Sequence, residues 1–174
     1  KAALDDIGNG ASINTPVDCE QDSSRLFQLA KMFQAQMLIL PLKNGRLAQS
    51  VSEHLEISGF ILKRLEDYGI EKEQVVMDAM LFVLKQAKEK VMETLERVKR
   101  LKSELGVRTV IGLSNLSFGL KNREALNAGF LKLAKSAGLD CVICDPLQKR
   151  VMEIARGSHE ENSQFDRKAF LKLA

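Results

Sequence analysis

The sequence is poor in the residues that perform covalent or metal chemistry. Its three cysteines, Cys19, Cys141 and Cys144, are too few and too odd in number for a disulfide framework. Reduced thiols and a cytoplasmic setting are therefore expected. The two histidines, His54 and His159, both fall in charged helical patterns and read as solvated. No pairing of a nucleophile with a base stands out from such a set. Cys141-Val142-Ile143-Cys144 has the outline of a C-x-x-C motif, but on a strand residues three apart point to opposite faces. Zinc would need further cysteine or histidine ligands nearby, and the sequence offers none, so no metal is expected. No apolar run approaches the ~20 residues that span a bilayer, and no charged-then-apolar leader opens the chain. Neither a membrane span nor export is expected.

Charge of one sign is also lacking. The 26 basic residues face 23 acidic ones for a net charge of +3, which argues against a nucleic-acid partner. The densest basic run, Arg97 to Lys102, is interleaved with Val98 and Leu101 and reads as the solvated face of a helix. What remains is the composition of a soluble globular protein. At 174 residues the chain suits one well-cored domain rather than two.

Five runs read as strands: Ala11 to Thr15, Gln36 to Leu42, Gln74 to Asp78, Val107 to Leu113 and Leu139 to Cys144. Helical patterns follow them, with apolar residues at Leu26, Leu29, Ala30 and Phe33, then at Leu55, Phe60, Ile61 and Leu65. The longest helix covers Ala87 to Leu105, with Val91, Leu95, Val98, Leu101 and Leu105 on one face. Gly69, Gly106 and Gly138 each stand just before a strand, where left-handed helix caps belong. Strict βα alternation implies a parallel sheet with right-handed crossovers. Periodicity alone leaves two architectures open, an open doubly wound sheet and an eight-stranded barrel. Gly8-Asn9-Gly10 precedes its strand and lacks a third glycine, so it is not a dinucleotide fingerprint.

Asn14, Asp78, Asn115 and Asp145 stand at or near the expected strand ends. In a parallel sheet those ends open on one face, and four polar side chains there can converge on a ligand. Each residue also has a local explanation, because Asn and Asp favour turns and helix starts. A pocket of amides and carboxylates suits the edge of a polar heterocycle, whose ring nitrogens, amino group and carbonyl alternate as donors and acceptors.

The block Gly112-Leu113-Ser114-Asn115-Leu116-Ser117-Phe118-Gly119-Leu120, running on into Asn122-Arg123, closely resembles the seventh strand of the methyltetrahydrofolate:corrinoid methyltransferase family. Ser12-Ile13-Asn14-Thr15 resembles that family's fourth strand, Leu40-Pro41-Leu42 its fifth and Val75-Val76-Met77-Asp78 its sixth. Ala137-Gly138-Leu139-Asp140 and Ile143-Cys144-Asp145-Pro146-Leu147 resemble the eighth. The resemblance implies an α/β fold of parallel βα units, an incomplete TIM barrel holding strands four to eight, with residues 1–174 as one partial pterin-binding domain.

The implied activity moves the N5-methyl group of methyltetrahydrofolate to the cobalt of a cobalamin or other corrinoid carried by a partner protein. By the same resemblance Asn14 and Asp78 anchor the pterin ring, and Asn115 is the catalytic amide near N5. Ser117, which can also support Asn115, and Asp145 join them as substrate-binding residues. The first three strands and an aspartate on the third are absent. Pro16, Ala79, Leu84-Lys85-Gln86 and Lys121 depart from the family pattern. The missing wall implies a longer polypeptide carrying the N-terminal half of the barrel, a homodimer, or a rearranged and inactive form. The alternative function is a truncated, non-catalytic pterin-binding or interaction module. A dihydropteroate synthase fits less well, since its lysine and arginine phosphate-site signatures are not evident.

Overall fold

The computed structural model describes residues 10–157 together with Phe170. Its strands are β1 (Ser12–Asp18), β2 (Gln36–Lys43), β3 (Arg46–Leu47), β4 (Val75–Asp78), β5 (Arg108–Gly112) and β6 (Cys141–Ile143). Its helices are α1 (Ser24–Met32), α2 (Val51–Asp67), α3 (Lys88–Leu105), α4 (Arg123–Ser136) and α5 (Lys149–Ala155). The strands form one open sheet in the order β1-β2-β4-β5-β6, with β3 beside β2. The pairs β1–β2, β2–β4 and β4–β5 are parallel. This is the parallel α/β architecture that the alternation of strands and helices demands. Gly69, Gly106 and Gly138 all take positive φ, as residues that reverse the chain after a helix should.

The chain divides into two compact units, one of residues 1–79 with 100–110 and one of 80–99 with 111–174. In the first, the register pairs Asn14 with Leu38, Leu38 with Val76 and Val76 with Arg108. Residues in register on parallel strands share a face, and so do residues two apart on one strand. Asn14 and Asp78 therefore lie on the same face. The opposite face carries Met37, Ile39, Val75, Met77 and Thr109, all fully buried.

β1 runs three residues beyond the expected end at Thr15. Pro16 does not stop it, because β1 lies at the sheet edge, where a missing N–H is tolerated. β3 was not foreseen. It closes a hairpin with β2 whose turn, Asn44-Gly45, has both residues at positive φ, as two-residue hairpins require. The buried Asp18 at the end of β1 pins this turn, accepting from the N–H groups of Glu20 at 2.9 Å, Asn44 at 3.1 Å and Gly45 at 2.5 Å.

Two readings of the sequence need correction. His54 is fully buried: at the spacing of Ser58, Ile61 and Leu65 it belongs to the inward stripe of α2, and the acidic Glu53 and Glu56 beside it mask that stripe. His159 lies outside the described residues. Arg97 is likewise fully buried, where the basic run had suggested a solvated face. It pairs with Glu93 one turn earlier at 2.9 Å, and long aliphatic stems allow such residues to enter a packed layer. Among the described residues, no helix is long and apolar enough to cross a membrane.

Candidate functional site

Asp78 is the last residue of β4 and half-buried. The ladder continues past it, since the Ala79 N–H donates to the Val110 carbonyl at 2.9 Å. Asn14 departs from the expectation of a strand end. It is the third residue of β1 and exposed, and Asp18 takes the terminal place. Within the first unit the structure thus places Asn14 and Asp78 on one face, with the half-buried Leu38 and Leu40 of β2 on the strand between their own.

In the second unit β5 ends at Gly112 and gives way to a single 3-10 turn, Leu113–Asn115. The sequence forces an abrupt change here. Leu113 and Leu116 are fully buried, while Asn115 between them is exposed. Burying the two leucines turns the amide outward. A side chain at Gly112 would stand 3.2 Å from the Asn115 Nδ2, so glycine keeps the space that this amide occupies.

Arg123, the first residue of α4, closes the turn from the other side. Its Nε donates to the Ser117 Oγ at 3.2 Å, and its Nη2 donates to the Ser114 carbonyl at 3.2 Å. Two bonds from one planar group fix the residues flanking Asn115 at both ends. Asn122, just before it, takes a left-handed conformation with φ 56°, a conformation Asn tolerates better than most residues.

Ser117 itself is fully buried, so its hydroxyl supports the turn from beneath. Arg123 had been quoted only as part of the wider block. Its position eight residues past a Gly-Leu-Ser-Asn exit, at the start of a helix, was the available signal. Leu84 adds a further tie, its N–H donating to the Leu116 carbonyl at 2.9 Å.

Asp145 lies two residues beyond β6 and is half-buried. Its Oδ1 accepts from the Leu147 N–H at 2.9 Å, the local turn that Asp commonly forms. Cys144 beside it packs its sulfur 3.8 Å from the Met152 Sδ, and burial pushes its thiol pKa up. A half-buried thiol of raised pKa is a poor nucleophile. No cluster of three metal-ligating side chains occurs among the described residues.

A strand exit that presents one exposed amide is suited to hydrogen-bonding a heterocycle. The sequence model for pterin binding enzymes matches residues 1–145. The chain belongs to this family. Methionine synthase of Mycobacterium leprae is 28% identical over 156 residues, which are 82% of this chain and 13% of that protein. Methylcorrinoid:tetrahydrofolate methyltransferase of Eubacterium limosum is 19% identical over 120 residues, 67% of this chain and 44% of that one.

The chain thus spans a small part of the methionine synthase it matches and less than half of the methyltransferase. Among solved structures, Yersinia pestis DHPS with a pterine-sulfa conjugate superposes with a TM-score of 0.63 at 12% identity, covering 89% of this chain and 69% of that one. At such low identity the superposition speaks for the fold.

Proposed function

We propose that the pterin-binding chain belongs to an enzyme that moves the N5-methyl group of methyltetrahydrofolate to a corrinoid held by a partner protein. The observation that carries this reading is the Asn115 turn, an exposed amide held by Gly112, Arg123 and Ser117 in a member of a pterin-binding family. Similarity to a methionine synthase and a methylcorrinoid:tetrahydrofolate methyltransferase supports methyl transfer over other pterin chemistry.

Asn14 and Asp78 hydrogen-bond the pterin ring and fix its orientation, with Asp145 as a further contact and Ser117 acting through the turn. Methyl leaves N5 as a cation equivalent, so the C–N electron pair stays on nitrogen and a proton ends there. An amide beside N5 that strengthens its hydrogen bond as this charge develops stabilises the transition state more than the ground state. The partner's corrinoid supplies the electron pair that accepts the methyl group.

Replacing Asn115 by Ala tests this directly. Pterin binding should weaken, and the methyl-transfer rate should fall by about a hundredfold, as for the loss of one preorganised donor. An unchanged rate would remove Asn115 from the mechanism. The second reading, a non-catalytic pterin-binding module, is favoured by the exposed edge strand that carries Asn14.

A further inference from the structure

The segment between β4 and α3 is bound to its helix by more than chain connectivity. Met80, two residues after Asp78, takes a left-handed conformation with φ 59°, unusual for a residue with a long side chain. Its carbonyl accepts from the buried Thr94 Oγ1 at 2.7 Å. Phe82 has two cations over its ring, Lys90 with Nζ at 5.5 Å and Arg97 with Cζ at 5.6 Å from the centroid. Positions 90, 94 and 97 recur at helical spacing, so α3 turns a single stripe toward this segment.

Arg97 is the unexpected member. Its guanidinium is fully buried, its Nη2 donates to Glu93, and its Nε and Nη1 have no hydrogen-bond partner among the described residues. Burial lowers its pKa against the opposing pull of Glu93. Taking a charge from water for a single ion pair is poor stabilisation, and an apolar side chain of similar size often serves folding as well. What an apolar chain would not reproduce is the attraction of a desolvated cation to the Phe82 ring.

Two residues past Phe82, the Leu84 N–H bonds the Leu116 carbonyl, next to Asn115. We infer that Arg97 is a positioning residue: through Phe82 it holds the β4–α3 segment so that Leu84 braces the turn bearing Asn115. The role in catalysis rests on the function proposed above; the bracing itself does not.

Hydrogen exchange on the ligand-free full chain separates the two. In Arg97→Met the Leu84 amide should exchange about tenfold faster, while the Leu126 amide of α4, which donates to the Asn122 carbonyl, holds its wild-type rate, because a local opening leaves other parts of the fold protected. Phe82→Leu removes the same contact from the other side and keeps the Arg97–Glu93 pair, so it gives the answer if Arg97→Met fails to fold. Arg97→Lys keeps a cation and should recover part of the protection. An unchanged Leu84 rate, or equal acceleration at Leu126, would overturn the inference.

Titration with methyltetrahydrofolate then addresses the chemistry. Affinity about tenfold lower in Arg97→Met is expected for a displaced contact. Wild-type protein that binds no pterin would instead defeat the proposed function and leave the exchange result standing.

Discussion

The β1 edge and the Asn115 turn carry the same kind of side chain on very different supports. At the turn, the exposed amide has a buried leucine on either side, a glycine that leaves it room, an arginine tying its flanks, and the Leu84 bond beside it. At β1, Asn14 stands on an edge strand. Along its register row burial falls from the buried Val76 through the half-buried Leu38 to the exposed Asn14. A preorganised donor delivers its hydrogen bond without first being ordered. An edge strand of a parallel sheet exposes backbone groups that ordinarily find a partner. The first region holds its amide by tertiary contacts on both sides, and the second carries its amide exposed on an edge strand.

The comparison can be broken at either end. Arg123→Met removes both bonds to the Asn115 flanks, so the proposed methyl transfer should fall about tenfold, the equivalent of one charged hydrogen bond; an unaffected rate would show the turn to be rigid without it. Gly112→Ala keeps a permitted backbone conformation but crowds the amide, and a loss of about threefold is expected for so small a displacement. Asn14→Ala on the present chain should leave the unfolding free energy within about 0.5 kcal/mol of wild type, as for other exposed sites. A larger loss would mean that Asn14 already has structural work in this chain.

Asp18 offers a different handle on the first region. Backbone N–H groups, with Glu20 contributing most and Gly45 next, hold its carboxyl below the usual carboxylate range. Its folded value therefore lies below its unfolded value. The stabilisation is fully present above the unfolded value and is lost as pH falls through the folded one. Acid titration of stability should show this loss in the wild type and a shallower fall in Asp18→Asn, followed by the unfolding midpoint across the acid range.

Much of this organisation was legible because it rests on local rules. The α3 helix, read as Ala87 to Leu105, is observed from Lys88 to Leu105, since its apolar stripe and its terminal glycine both speak locally. Asp78 ends its strand as expected. The failures share a cause, which is tertiary context. The first strand was expected to end at Thr15 and runs on to Asp18 through Pro16, and nothing local says that β1 lies at an edge where a proline is tolerated. His54 and Arg97 read as solvated because their charged neighbours outnumber the apolar partners that bury them. The β3 hairpin was a different miss, since Asn44-Gly45 is a strong turn signal in the sequence itself. The roles of Gly112 and Arg123 needed coordinates, because both act on Asn115 across a change in chain direction.

The most direct test is a calorimetric titration of this chain with methyltetrahydrofolate, run beside Asn115→Ala. The account predicts saturable binding by the wild type that the substitution weakens. Equal binding by both proteins, each shown to be folded, would contradict the central place given to Asn115.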